Sequence, residues 1–337
     1  MKVKEIQNNN EFQLKFNRKT TYTLIFIFFI LSFTFFLLLK STQNKNENEN
    51  QNENQNEKEK EIKNKKQNWD LKKEKICILM VDDRTLGKNF DFSSNKQIPF
   101  FHTSIFANSF YSKYHGYDFY RIDSNNKIND SRKLLNLFQE HPTKQRTSYW
   151  NKLKIICLMM NYYDYEIILY LDSDAVFFDF EKTIEDFIVE NVNYSENISL
   201  ILTKDLEISL DYVNTGVLIF INNDFSKKMI LDWYNLPITN PGFEFSLNVG
   251  SSEQPAMGEY MYKTEPWESH IHILPLNTTN GPDGEFIRHF WGAVPWEERN
   301  DQIFQIFINY SYHFHNFLEQ IQSQNFSSQI SKFIDNS

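Results

Sequence analysis

Glu166-Ile167-Ile168-Leu169-Tyr170-Leu171-Asp172-Ser173-Asp174 is the stretch on which the fold turns. From Ile167 to Leu171 the run is apolar without alternation, as in a strand buried on both faces. It then breaks into two carboxylates one residue apart. Ligands of open α/β sheets bind beyond the carboxyl ends of strands, which is where Asp172 and Asp174 would lie. Such a pair can converge on one hard cation, Mg²⁺ or Mn²⁺, which takes oxygen ligands and keeps substrate phosphate oxygens in its shell. A solvated turn also suits Asp and Ser. The strand before the triplet and Ala175-Val176-Phe177-Phe178 after it favour the site.

Upstream, Ile76 to Val81 reads as a strand, Phe100 to Tyr114 as a helix and Phe119 to Ile122 as a short strand. Ser148 reads as the N-cap of a helix carrying Trp150, Leu153, Ile156, Cys157 and Met160 on one stripe. The order β-α-β-α-β predicts a doubly wound α/β half, Rossmann-like, with a single mixed sheet flanked by helices. Downstream, strands are expected over Ile198 to Leu202 and Val213 to Ile221, and a helix over Ser226 to Tyr234. Cys77 and Cys157 lie in apolar runs outside any zinc-ligand spacing and read as two buried thiols. A single disulfide between them is the alternative in an oxidising lumen.

The chain carries a net charge of -9, the wrong sign for nucleic acid as a partner. Its address is set near the N-terminus. Tyr22 to Leu39 is an uncharged apolar stretch that reaches roughly 27 Å as a helix, enough for a thin bilayer core. No small-residue cleavage site follows it, so it reads as an uncleaved signal-anchor. Lys2, Lys4, Lys15, Arg18 and Lys19 precede it and keep residues 1–21 cytoplasmic. Residues 40–69, rich in Asn, Glu, Gln and Lys, read as a flexible stem. Residues 70–337 form the domain beyond it, expected in the lumen. Sequons at Asn129, Asn193, Asn197, Asn277, Asn309 and Asn325 are compatible with that location.

Five segments in order resemble glycosyltransferase family 34, a group that includes α-galactosyl-, α-mannosyl- and xyloglucan xylosyltransferases. They are His115-Gly116-Tyr117-Asp118; Trp150-x-Lys152 through Tyr170-Leu171-Asp172-Ser173-Asp174-Ala175; Asn214-Thr215-Gly216 with Asn222-Asn223; Glu253-Gln254-Pro255-Ala256; and His289-Phe290-Trp291-Gly292. The resemblance implies a GT-A fold, a UDP- or GDP-sugar donor, Mn²⁺ (or Mg²⁺), retention of anomeric configuration and a glycan acceptor. It implies residence in the Golgi membrane as a single-pass type II glycoprotein. A complex with other glycosyltransferases is left open. By position, Asp172, Asp174 and His289 would hold the metal. Asp172, Ser173 and Lys152 would face the donor, Glu253 and Gln254 the reacting face of the sugar, and Asn214 the donor or the acceptor.

The family's basic residue after the last segment is missing, since the chain reads Gly292-Ala293-Val294-Pro295-Trp296. Arg288 is the expected substitute at the diphosphate. His289-Phe290-Trp291-Gly292 with Pro295-Trp296 is also similar to glycosyltransferase family 8, another retaining GT-A group. Three plainer readings stand beside these. His289 could be a satisfied core histidine, Glu253-Gln254 a helix first turn favoured by the dipole, and Trp291 and Trp296 core residues or a sugar-stacking platform. At the level of the whole protein, the alternatives are an inactive GT-A scaffold subunit and a metal-dependent phosphohydrolase. The phosphohydrolase would want its D-x-D on the first strand.

Overall fold

The computed structural model describes residues 75–84, 98–123, 136–192, 197–205, 212–247, 253–292 and 294–313. The expected cytoplasmic segment 1–21, span 22–39 and stem 40–69 lie outside the described residues, as do the sequons at Asn129, Asn193 and Asn325. Asn197, Asn277 and Asn309 are exposed. No helix among the described residues is long and apolar enough to cross a membrane.

Strand β1 (Ile76–Val81) leads towards helix α1 (Phe100–His115) and strand β2 (Asp118–Ile122). Helix α1 stops at Gly116, whose φ of 81° lets its N–H return to Ser112 O. Helix α2 (Asn151–Tyr162) precedes β3 (Ile167–Leu171). Then come β4 (Ala175–Phe177), α3 (Ile184–Asn191), β5 (Leu200–Lys204), β6 (Val213–Ile221) and α4 (Asp224–Thr239). The remainder is α5 (Glu253–Glu259), β7 (Ile271–Leu274), a single turn α6 (Leu276–Thr279), β8 (Ile287–His289) and α7 (Trp296–His313).

Six strands form one mixed sheet in the order β2-β1-β3-β6-β5-β7. β1 is parallel to β2 and β3, β6 is antiparallel to both β3 and β5, and β7 is parallel to β5. The expected single sheet is therefore corrected, because β4 and β8 form a separate antiparallel ribbon. The reason is local. After β3, Asp172 N–H bonds to Gly216 O on β6 (2.7 Å) and Asp172 O accepts from Ala175 N (3.0 Å), turning the chain off the sheet edge.

Parity explains the unbroken apolar strands. Ile76, Ile78, Met80, Ile167, Leu169, Leu171, Val217 and Ile219 pack on one face against α1, α3 and α7. Cys77, Leu79, Ile168, Tyr170, Leu218 and Phe220 pack on the other against α2, α4 and α5. With both faces covered, neither parity can be polar. Cys77 and Cys157 both lie in the second cluster as buried free thiols. Burial pushes the Cys157 thiol up to about 12.

Two expected helix starts move. Ser148 opens a short 3-10 turn and caps nothing with its side chain; α2 begins at Asn151. Helix α4 begins before Ser226, because Asn223 is its N-cap. Asn223 Oδ1 accepts from Ser226 N (2.8 Å) and Asn223 N donates to Ser226 Oγ (3.0 Å), a reciprocal cap.

Candidate active site

The carboxyl ends of β1, β3 and β5 share one edge of the sheet with the amino end of β6. Each of those three strands is followed at once by an aspartate: Asp82, Asp172 and Asp205. A cleft of about 570 Å³ opens there, within the range of small-molecule sites.

The Asp172-Ser173-Asp174 loop is held from several sides. Tyr170 OH donates to Asp172 Oδ1 (2.6 Å). Ser104 Oγ, on α1, donates to Ser173 O (2.5 Å), and Arg84 Nη2 donates to Ser173 Oγ. Phe290 N donates to Asp174 O (2.9 Å), tying the loop to the chain after β8. That pairing carries His289 in: Ala175 of β4 faces His289 of β8 in register.

One carboxylate oxygen each from Asp172 and Asp174 and a ring nitrogen of His289 lie within 4.8 Å of one another. His289 Nε2 is 3.3 Å from Asp174 Oδ1 and 3.9 Å from Asp172 Oδ2. Burial alone would lower the His289 pKa, but the bond to Asp174 and the charges of Asp174 and Asp172 raise it overall. Burial would likewise raise Asp174, yet His289 and Arg299 hold it below the usual carboxylate range.

These three residues fit a divalent cation. Two carboxylates and an imidazole are a metal-ligand set, and Gly216 leaves room for the imidazole, since a Cβ there would stand 2.1 Å from His289 Cε1. His289 is thus buried like a core residue and still aimed at the acid pair.

Lys152, on α2, is 3% exposed and donates to Thr215 O (2.8 Å). Its Nζ lies 2.5 Å from Glu253 Oε1 and 3.7 Å from Asp172 Oδ1. It ties α5 to the acidic loop, which engages it in addition to any role toward phosphate. Glu253 opens α5 and also accepts from Thr215 Oγ1 (2.9 Å). Gln254 Nε2 donates to Asp205 Oδ2 (2.9 Å), while Asn214 Oδ1 accepts from Gly216 N (2.8 Å). Asp172, Ser173, Asp174, Lys152, Asn214, Glu253, Gln254 and His289 all line the one cleft.

Arg288 does not line it, and this corrects the expectation for the diphosphate. Alternation along β8 turns it away from His289, and its guanidinium covers the Phe178 ring at 3.3 Å. The guanidinium at the cleft is Arg299, from α7, with Nη1 3.0 Å from Asp174 Oδ2. Arg84 joins it from the end of β1, paired with Asp82 at 2.5 Å. Nothing in local sequence singles out Arg299, which sits on an amphipathic helix among other charges. Asp82 and Asp205 carried a readable signal, an acidic residue directly after an apolar strand. Tyr149 and Trp296 stand at the cleft, 52% and 50% exposed.

An acidic cleft thus lies at the carboxyl edge of a mixed α/β sheet, and this chain is a glycosyltransferase. It belongs to the galactosyl transferase GMA12/MNN10 family, whose model matches residues 72–286. His289 falls just beyond the matched segment and is placed by the β4–β8 ribbon. No curated protein matches the chain. Similar solved structures include a glycosyltransferase involved in the glycosylation of the major capsid of PBCV-1, 18% identical, covering 68% of this chain and 98% of that one with a TM-score of 0.47. The glycosyltransferase GlyE of Streptococcus pneumoniae TIGR4 is 14% identical, covering 72% of this chain and 64% of that one with a TM-score of 0.39. Mouse xyloside xylosyltransferase 1 is 8% identical, covering 66% of this chain and 99% of that one with a TM-score of 0.41.

Proposed function

We propose that this glycosyltransferase is a divalent-metal-dependent, retaining enzyme. It moves galactose, mannose or xylose from a UDP- or GDP-sugar to a glycan acceptor. The observation that carries the reading is the convergence of Asp172, Asp174 and His289 within 4.8 Å. Those three residues would hold the cation, and an imidazole nitrogen among the ligands suits Mn²⁺ better than Mg²⁺, which prefers oxygen. Such a cation supplies charge neutralisation for a leaving diphosphate.

The protein's own groups do the rest. Arg299 and Arg84 place positive charge along the cleft for phosphate oxygens. Gln254 and Asn214 offer amide groups to the sugar, and Tyr149 and Trp296 offer ring faces to the C–H face of an acceptor sugar. Asp82, Asp172, Asp174 and Glu253 are each engaged by Arg84, Tyr170, His289 and Lys152 respectively. That supports a reaction needing no strong protein base. The acceptor oxygen bonds to the anomeric carbon on the face from which the diphosphate departs, and the departing phosphate takes the hydroxyl proton. Positioning and electrostatics then lower most of the barrier.

For location, the reading is a single-pass type II Golgi membrane protein, with residues 22–39 as anchor, 40–69 as stem and 70–337 in the lumen. The uncharged run Tyr22 to Leu39 and the basic residues before it support this.

The test is a donor screen on the full-length chain, with Mn²⁺ or EDTA, against UDP-galactose, GDP-mannose and UDP-xylose. Transfer from one donor should require the metal, vanish in Asp174→Asn and give a product of the donor's own anomeric configuration. Turnover unaffected by EDTA sinks the metal role; an inverted product sinks retention. Glycans on Asn197, Asn277 or Asn309 in the expressed chain would accord with a luminal domain, and their absence from all three would count against it.

A further inference from the structure

Asn280 is 2% exposed and lies directly behind His289. Its Nδ2 faces two acceptors, Lys204 O at 3.0 Å and Asp205 Oδ1 at 3.3 Å. Its Oδ1 faces the Gly281 N–H at 2.9 Å and His289 Nδ1 at 3.1 Å. Turning the amide over would set oxygen against two oxygens and an NH₂ group against an N–H, so its neighbours dictate its polarity. An acceptor facing Nδ1 requires that nitrogen to carry the proton. Nε2, on the far side of the ring, is the nitrogen nearest Asp174 and Asp172, so a ring held at Nδ1 turns Nε2 toward the acidic pair.

We propose that Asn280 is a positioning residue that holds the His289 ring through its Nδ1–H and so directs Nε2 at the acidic pair. Lys204 O and Asp205, at the carboxyl end of β5, hold Asn280 in the orientation that does this. Asp205 also accepts from Gln254 Nε2 (2.9 Å), so one carboxylate braces both the imidazole support and a polar group at the sugar end of the cleft. The inference rests on the metal-site reading for its consequence, but the bond from Nδ1–H to Asn280 is a property of the metal-free chain.

Two measurements on the full-length chain test it. In ¹⁵N-histidine-labelled protein with EDTA, the His289 Nδ1–H should be protected from solvent exchange, with His289→Gln assigning the signal. An Nδ1 without a proton, or one that exchanges freely, in the wild type would overturn the proposal. In Mn²⁺ titrations followed by electron paramagnetic resonance, Asn280→Ala should bind roughly 10–100-fold more weakly. Asn280→Asp combined with Asp205→Asn, which keeps an acceptor for Nδ1–H and sets an amide rather than a second carboxylate beside it, should recover most of that loss.

Wild-type Mn²⁺ affinity in Asn280→Ala overturns the proposal. So does a loss in the paired variant equal to that in Asn280→Ala, which would mark a merely structural role. If the wild type binds no Mn²⁺, the metal reading fails and the Nδ1–H measurement alone judges Asn280. If Asn280→Ala does not fold, the wild-type spectrum and the paired variant decide.

Discussion

A methyl group on Gly216 would stand 2.1 Å from Cε1 of His289, so the β6 backbone and the imidazole are in direct contact. The constraint is one of space: β6 passes so close to the ring that no Cβ fits between them. Glycine here makes room for the third member of the site, which comes from the other end of the domain.

Gly216→Ala should therefore push the ring off its position. Overpacking of this kind costs about 1–3 kcal/mol, and Mn²⁺ affinity should fall along with it. Thermal unfolding in EDTA and a Mn²⁺ titration read the two effects. Unchanged metal affinity in the folded variant would show that the ring's position is not critical.

Lys152 and Glu253 form a buried pair with side chains each 3% exposed. Burial pulls the Lys152 pKa down, but Asp172 and Glu253 more than offset this and it stays charged. Lys152→Met leaves the Glu253 carboxylate buried without its cation, a change that costs about 3–5 kcal/mol. Lys152→Met with Glu253→Gln should regain much of it. Urea denaturation measures both, and a wild-type midpoint for the single variant would refute the pairing as a structural element.

Arg299 and Arg288 make opposite predictions. Arg299→Met removes the guanidinium at Asp174 and should raise the donor KM roughly tenfold or more, the size of a lost charged hydrogen bond. Arg288→Met, remote from the cleft, should leave donor KM unchanged. Steady-state kinetics on both variants decides, and the reverse ranking would restore the expectation drawn from the sequence.

His102 gives a pH signature. Burial, with Arg121 and Arg84 nearby, lowers its pKa from 6.5 to about 4. Between those values the unfolded chain binds the proton and the folded chain does not. Stability is thus full above the unfolded pKa and falls as pH drops from 6.5 towards 4, by at most about 1.4 kcal/mol per pH unit. His102→Gln should flatten that part of the stability–pH curve. An identical slope in the variant would assign it to other groups.

Much of the fold was legible because its signals are local. Five apolar residues from Ile167 to Leu171 need cover on both faces, and that need marks a central strand from composition alone. Val217 to Ile221, the apolar end of the strand Val213–Ile221, is legible for the same reason. Helices α3, α6 and α7, strand β7 and the ribbon strands β4 and β8 were not legible. Three residues such as Ala175–Phe177 carry too little pattern, and their pairing with Ile287–His289 is a long-range event. The boundaries of α2 and α4 shifted because capping depends on which backbone groups are left unpaired, as at Asn223 and Ser226.

Short stretches of sequence were enough to show that a strand ends in Asp172-Ser173-Asp174, that the family's segments follow in order, and that His289 belongs with them. These are properties of short windows, where side-chain type and spacing carry the information. Packing of the whole domain decided that Arg299 faces Asp174 while Arg288 turns away, and that Gly216 cradles His289. It also decided that Asn280 and Asp205 stand behind the ring. Those facts depend on which face of a strand or helix meets which neighbour. Contacts between residues 216 and 289, or 174 and 299, exist only once the sheet, the ribbon and the last helix have packed together.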